Sequence, residues 1–287
     1  MSMNVSADRL HRRGRGPRRL TRLAACWLAA ASAVLAMAGE DVSPQGELTL
    51  TPATVPVQPG HPFSLAIDLT LPAGWHTYWL NPGETGMAPD LRWTLPPGVR
   101  LTAVHYPVPQ RFDDGISISI GYENAVRLLA EFTTDASLSL PVAVDLKALW
   151  MICKDFCMPV ESQVSVTLRP AAGETPDHLT SARNRLPQPA TGWRMTIARE
   201  DRHLTIRIVP PPQLNLSDQA WKQALLLPVQ RDTVALDEPG NWKREADAWT
   251  TRLKAGLAAP EGGRFAAVLI LSGQPETGWL LEGTVSR

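Results

Sequence analysis

Short alternations of apolar and polar residues recur from residue 45 onward. Residues 63–69 (FSLAIDL) alternate in part; residues 116–120 (ISISI), 164–168 (VSVTL) and 204–208 (LTIRI) do so strictly. A period of two sends successive side chains to opposite faces of a strand, so these runs predict half-buried strands in antiparallel sheets. Turns rich in Pro and Gly separate them, and 26 Pro in the chain leave little room for long helices. Many short strands with turns between them predict β-sandwiches. Residues 142–152 and 163–168 read as two strands flanking one tight turn.

The pattern breaks at residues 170–189 (PAAGETPDHLTSARNRLPQP), where residues 177–186 predict a short helix capped near Thr175 or Asp177. Strand patterning resumes near Trp193 and runs to Val285. The expected organisation is a leader at residues 1–38, a first β domain at 39–170, a linker at 171–186 and a second β domain at 187–287. The expected class is all-β, with two sandwiches in tandem. A charged, turn-rich stretch at residues 237–247 (DEPGNWKREAD) is expected in solvent.

The leader has its own chemistry. Seven Arg and a single acid, Asp8, fall within residues 1–38, and residues 23–38 (LAACWLAAASAVLAMA) are apolar. A basic region, an apolar region and Ala36-Met37-Ala38 together predict a secretory signal peptide cleaved after Ala38. The apolar run is short for a spanning anchor. Leu23-Ala24-Ala25-Cys26 resembles a lipoprotein signal, but basic residues precede it where an apolar segment is needed. Arg18-Arg19 fits a twin-Arg signal only loosely. The mature chain is therefore expected in the periplasm. Without the leader, the balanced 28 basic and 28 acidic residues become 21 and 27, a net charge of −6. That balance argues against a nucleic-acid partner. With 44% hydrophobic and 20% charged residues, the chain has the material for a buried core.

Cleavage removes Cys26 and leaves Cys153 and Cys157, four apart, in an oxidising compartment. At a strand–turn–strand junction two such cysteines can meet disulfide geometry. Three uses stand open: a structural staple, a metal site or a redox-active pair. A closed loop of about five residues yields only ~2 kcal/mol of chain-entropy stabilisation, little for a chain with two cores. A bridge in a surface turn is open to an attacking thiolate. Lys154 would favour a thiolate and Asp155 oppose it.

Other candidates are plainer. The His residues show no ligand spacing, and no cofactor or metal is expected. His76, Met151 and Met158 offer donors that suit Cu(I), though packing accounts for the Met residues. Trp75, Tyr78, Trp79 and Trp93 read as one group of core aromatics. Serine-hydrolase, zinc-protease and phosphate-loop motifs do not occur.

Several ordered motifs carry a family resemblance. Residues 74–86 (GWHTYWLNPGETG) are followed by 93–99 (WTLPPGV), 106–112 (YPVPQRF), 121–123 (GYE) and 150–159 (WMICKDFCMP). Together they resemble the N-terminal periplasmic domain of the DsbD thiol:disulfide interchange family, in its ScsB-like branch linked to copper tolerance. The resemblance covers residues 45–170; residues 187–287 fit a second domain of that branch more loosely. It implies an immunoglobulin-like sandwich with a reversible disulfide at Cys153 and Cys157. It also implies electrons received from a membrane-embedded partner and a thioredoxin-like domain, and passed to periplasmic thiol proteins. The mixed disulfide would form on Cys157. The family's cap loop maps to residues 111–115, with Phe112 as the shield. Asp113 and Asp114 would be proton acceptors there if the loop lies over the pair, or simply an acidic turn. Three residues separate the cysteines here, against five in the family. The sequence holds no transmembrane electron conduit and no thioredoxin-like module, so it is expected to depend on another protein for electrons. The expected function is thiol–disulfide relay. A non-catalytic periplasmic binding module, for copper tolerance or assembly, is the alternative.

Overall fold

The computed structural model describes residues 45–51, 54–171, 179–214, 216–236, 240–272 and 277–286. The leader with Cys26 and the helix-cap positions Thr175 and Asp177 lie outside them. Among the described residues no helix is long and apolar enough to cross a membrane.

Eleven strands build the first sandwich: β1 (Glu47–Thr51), β2 (Thr54–Val57), β3 (Phe63–Thr70), β4 (His76–Gly83), β5 (Asp90–Thr94), β6 (Val99–His105), β7 (Gln110–Asp113), β8 (Ile118–Glu123), β9 (Ala125–Thr134), β10 (Val142–Cys153) and β11 (Cys157–Pro170). One sheet runs β1-β3-β9-β6 and the other β2-β11-β10-β4-β8-β7, with β5 also on β10. Period-two alternation defines the core between them. Leu65, Ile67 and Leu69 of β3 face Val144, Leu146, Ala148, Trp150 and Ile152 of β10. The odd-numbered residues of β10, Cys153 among them, therefore belong to the outer face of the second sheet.

A single helical turn, α1 (Thr180–Arg183), lies between the sandwiches and is shorter than the sequence predicts. Beside it, Leu179 packs on Ala66 and Leu129 and covers the outer face of the first sheet. This cover explains why residues 65–67 are buried consecutively rather than alternately.

The second sandwich contains β12 (Gln188–Pro189), β13 (Arg194–Glu200), β14 (His203–Val209), α2 (Asp218–Lys222), β15 (Leu225–Pro228), β16 (Lys243–Glu245), β17 (Ala248–Lys254), β18 (Gly263–Ile270) and β19 (Gly278–Ser286). Its hydrogen-bonded path, β15-β18-β19-β13-β14-β17-β16, is continuous, so one sheet curls around one core. The fold is thus all-β, with two immunoglobulin-like sandwiches in tandem. Ser217 caps α2 by accepting from Ala220 N, and the helix plugs the core with Trp221, stacked on Trp249 at 5.0 Å. Trp242 joins them and donates from Nε1 to Ala224 O at 3.0 Å. The stretch at 237–247 thus hides a core residue among its charges. Strand β18 is buried on both faces. Phe265, Ala267 and Leu269 belong to the second core, while Val268 and Ile270, with Leu227, belong to the first.

Candidate disulfide site

β10 and β11 pair in one unbroken antiparallel register from Val142–Leu168 to Cys153–Cys157. Only Lys154, Asp155 and Phe156 lie between the cysteines, and Lys154 N donates to Phe156 O at 3.2 Å. Directly opposed residues on paired strands share a face. Here that geometry closes a Cys153–Cys157 disulfide with the Cα atoms 4.2 Å apart.

β4 runs beside this hairpin and divides its residues by parity. Trp75 and Trp79 enter the core, while His76 and Tyr78 take the outer face with Cys153. His76 is the register partner of Cys153 on one side and Glu123 on the other. The Tyr78 hydroxyl donates to Cys153 Sγ at 2.7 Å and lies 3.5 Å from Cys157 Sγ. One glycine makes room for the phenol and another for its backbone. Gly121 is the cross-strand partner of Tyr78, and a Cβ there would overlap the Thr77 backbone. Gly86, at φ +83°, lies so close to the ring that a Cβ would overlap it. Tyr78 is consequently only 1% exposed. Burial raises its pKa, a Thr85 hydrogen bond opposes the shift and Asp114 adds to it. The phenol therefore keeps its proton at neutral pH and remains a donor.

The two cysteines differ in exposure. Cys153 is 2% exposed, whereas Cys157 is an exposed residue. Phe156, 56% exposed, meets the buried Trp75 edge-on at 5.2 Å and fixes the tip of the hairpin.

The segment expected to act as a cap is the β7–β8 hairpin. Phe112 pairs with Ser119, on the outer face, and stacks on the His76 ring at 4.9 Å. His76 meets Tyr78 edge-on at 5.4 Å. Phe112, His76, Tyr78 and Cys153 therefore form one contiguous series. Burial lowers the His76 pKa, with Glu123 and Asp114 opposing. The two carboxylates shape the turn. Asp113 accepts from Gly115 N at 3.0 Å and pairs with Arg111 at 3.1 Å. Asp114 accepts from Ile116 N at 2.8 Å and Ser117 N at 2.7 Å. The Ser117 and Ile116 amides hold the Asp114 carboxyl below its usual value. These bonds also explain why β8 begins only at Ile118, although the alternation starts at Ile116. The turn takes those two residues and leaves Ile116 95% exposed.

Sequence reasoning named the cysteines and the Phe112 segment but placed Tyr78 with the core aromatics and gave His76 no role at the disulfide. Parity was the missing signal: in Trp75-His76-Thr77-Tyr78-Trp79, Tyr78 falls on the face opposite Trp75 and Trp79. Met158 packs against the first core. Among the described residues no group of three or more His, Cys, Asp or Glu converges as a metal site.

A disulfide at a hairpin tip, with one cysteine buried against a phenol and the other exposed, makes the first sandwich a thiol–disulfide exchange module. The sequence comparison agrees: residues 47–169 match the family described as "Thiol:disulfide interchange protein DsbD, N-terminal". The fold is similar to the N-terminal periplasmic domain of ScsB from Proteus mirabilis, with 15% identity and a TM-score of 0.63 over 85% of this chain and 94% of that one. A variant of BcpA, the major pilin subunit of Bacillus cereus, is far more remote. It is 8% identical over 80% of this chain and 59% of that one, with a TM-score of 0.29. No curated protein matches the chain.

Proposed function

We propose that this protein is an exported relay that passes reducing equivalents to periplasmic thiol proteins. The observation that carries the reading is the asymmetry of the pair: Cys157 is exposed, and Cys153 is buried with the Tyr78 hydroxyl 2.7 Å from its sulfur.

The chemistry follows from that asymmetry. A thiolate of the electron donor attacks Cys157 Sγ along the bridge. A new sulfur–sulfur bond forms, the Cys153–Cys157 bond breaks, and its electron pair goes to Cys153 as a thiolate. The Tyr78 hydroxyl donates to that thiolate, which makes Cys153 the better leaving group. The donor's second thiol then resolves the mixed disulfide and frees Cys157. In the forward half, Cys157 attacks an acceptor disulfide. Cys153 then attacks Cys157, which restores the bridge and leaves the acceptor reduced. Phe112, Asp113 and Asp114 form the cap that limits this chemistry to docked partners. A membrane-embedded electron-transfer protein would supply the electrons, and thioredoxin-like proteins would receive them.

Two measurements test the reading. Cys153→Ser should accumulate mixed disulfides through Cys157 with periplasmic thiol proteins. The reduction potential of the wild-type pair should lie above about −300 mV, the range below which structural disulfides fall. A lower potential together with no trapped partner would leave a structural disulfide in a binding module.

A further inference from the structure

One segment of the second sandwich, residues 228–236, grips the pieces of chain that frame the disulfide. Asn81, at the far end of the site strand β4, is 1% exposed. Its Nδ2 donates to Pro228 O at 2.7 Å and lies 3.4 Å from Gln230 O, while its Oδ1 accepts from Gly83 N at 3.1 Å. Arg231 donates to Glu84 O at 3.1 Å, just ahead of the Thr85-Gly86 cover on Tyr78. Glu84 is itself tied to the cap hairpin, since its Oε2 accepts from Ile118 N and its own N–H donates to Ile118 O, each at 2.8 Å. Arg111, next to Phe112, donates to Leu236 O at 3.2 Å. Apolar packing backs these bonds. Leu227, Val268 and Ile270 are buried in the first core, and Gly278 lies so close to Val108 that a Cβ would come within 3.1 Å of it.

We propose that the second sandwich is a buttress for the cap: through Asn81, Arg111 and Arg231 it sets how closely the Phe112 hairpin covers the disulfide. The proposal rests on the reading of that hairpin as a cap. β7 is a four-residue edge strand, paired on one side only. Such a strand opens at low cost unless something else holds it. The second sandwich holds it on two sides. Arg111 anchors β7 itself, and Arg231 anchors the Glu84 backbone that clasps the start of β8. Each anchor is a side-chain donor aimed at a main-chain carbonyl, which fixes position as well as proximity. Arg111, Arg231 and Asn81 are thus positioning residues, acting through Phe112 rather than on sulfur.

The test uses full-length chain in four forms besides wild type: Arg231→Ala, Arg231→Lys, Phe112→Ala and the Phe112→Ala/Arg231→Ala double variant. The Arg231 side chain is half-exposed, so its loss spares both cores. The readouts are the dithiothreitol reduction rate, the denaturation midpoint and amide exchange at Ile118. Arg231→Ala should speed reduction about five- to tenfold, the scale of one lost hydrogen bond, and hasten Ile118 exchange with the midpoint nearly unchanged. Arg231→Lys should restore most of the wild-type rate. In the Phe112→Ala background the second substitution should add nothing, because both act through one element. Wild-type rate and exchange in Arg231→Ala, or equal acceleration in both backgrounds, would overturn the buttress. If Phe112→Ala alone reduces at the wild-type rate, the cap reading fails, and the Ile118 exchange alone decides whether the second sandwich holds the hairpin. Partner trapping in Cys153→Ser reports separately on the relay.

Discussion

The hydroxyl of Tyr78 lies 2.7 Å from Cys153 Sγ, across 75 residues of sequence. A buried donor aimed at one sulfur of a bridge makes the two ends of the bond unequal. Tyr78→Phe keeps the ring and removes only the donor. A hydrogen bond to a charged acceptor contributes ~1.5–3 kcal/mol, and each ~1.4 kcal/mol is a factor of ten in rate. The variant should therefore be reduced by dithiothreitol at least about tenfold more slowly at pH 7. An unchanged rate would mean that the phenol packs against the sulfur without assisting it.

Phe112→Ala should do the opposite. Phe112 is partly exposed and stacked on His76, so its loss should uncover the site and speed reduction by small thiols. The denaturation midpoint should barely move, because the cost of ~3–5 kcal/mol applies to a fully buried Phe. A large stability loss at an unchanged reduction rate would make Phe112 a packing residue.

His76 gives the fold a pH signature. Its pKa is lowered from the ordinary 6.5, chiefly by burial. As pH falls, the unfolded chain binds this proton first, so stability drops between about 6.5 and the lower folded value. Above that window neither state carries the proton, and below it both do. Denaturant midpoints of wild type and His76→Gln, compared from pH 7.5 downward, should keep a constant difference and then converge or cross as pH passes below 6.5. Parallel curves through that window would show that His76 is not the group responsible.

Gly86→Ala tests the cover on Tyr78. The residue sits at φ +83°, where an L side chain is strained, and its Cβ would fall on the phenol ring. The substitution should cost at least about 1 kcal/mol and push Tyr78 from the sulfur. Reduction should slow as it does in Tyr78→Phe. Stability lost with the reduction rate intact would show that the loop moves and the phenol stays.

Much of both sandwiches is legible in alternation. Residues 164–168 and 204–208 are half-buried strands as their pattern predicts, and the Cys pair sits at the expected hairpin. Alternation misleads where a local hydrogen bond outcompetes it, as at Ile116 and Ser117, which Asp114 draws into a turn. It also misleads where a second layer covers the far face, as at Ala66. The site itself was half legible. Thiols announce their chemistry, whereas a Tyr in an aromatic-rich run looks like core until its parity is counted. Asn81 was illegible as an anchor, because its partners at Pro228 and Gln230 are carbonyls that any residue supplies.

Strand β18 lends one face to each core, and this bears on the order in which an exported chain becomes whole. Proteins fold largely as they emerge, N-terminal segments first. The cysteine hairpin is complete in sequence by Pro170, yet Leu227, Val268 and Ile270, which finish the first core, lie well downstream. On a chain threaded N-terminus first into the periplasm, where the cysteines meet oxidants, the bridge would close on a sandwich with the apolar surface around Val108 still uncovered and the Phe112 edge strand still without Leu236. The last strands to cross the membrane would then complete the redox site.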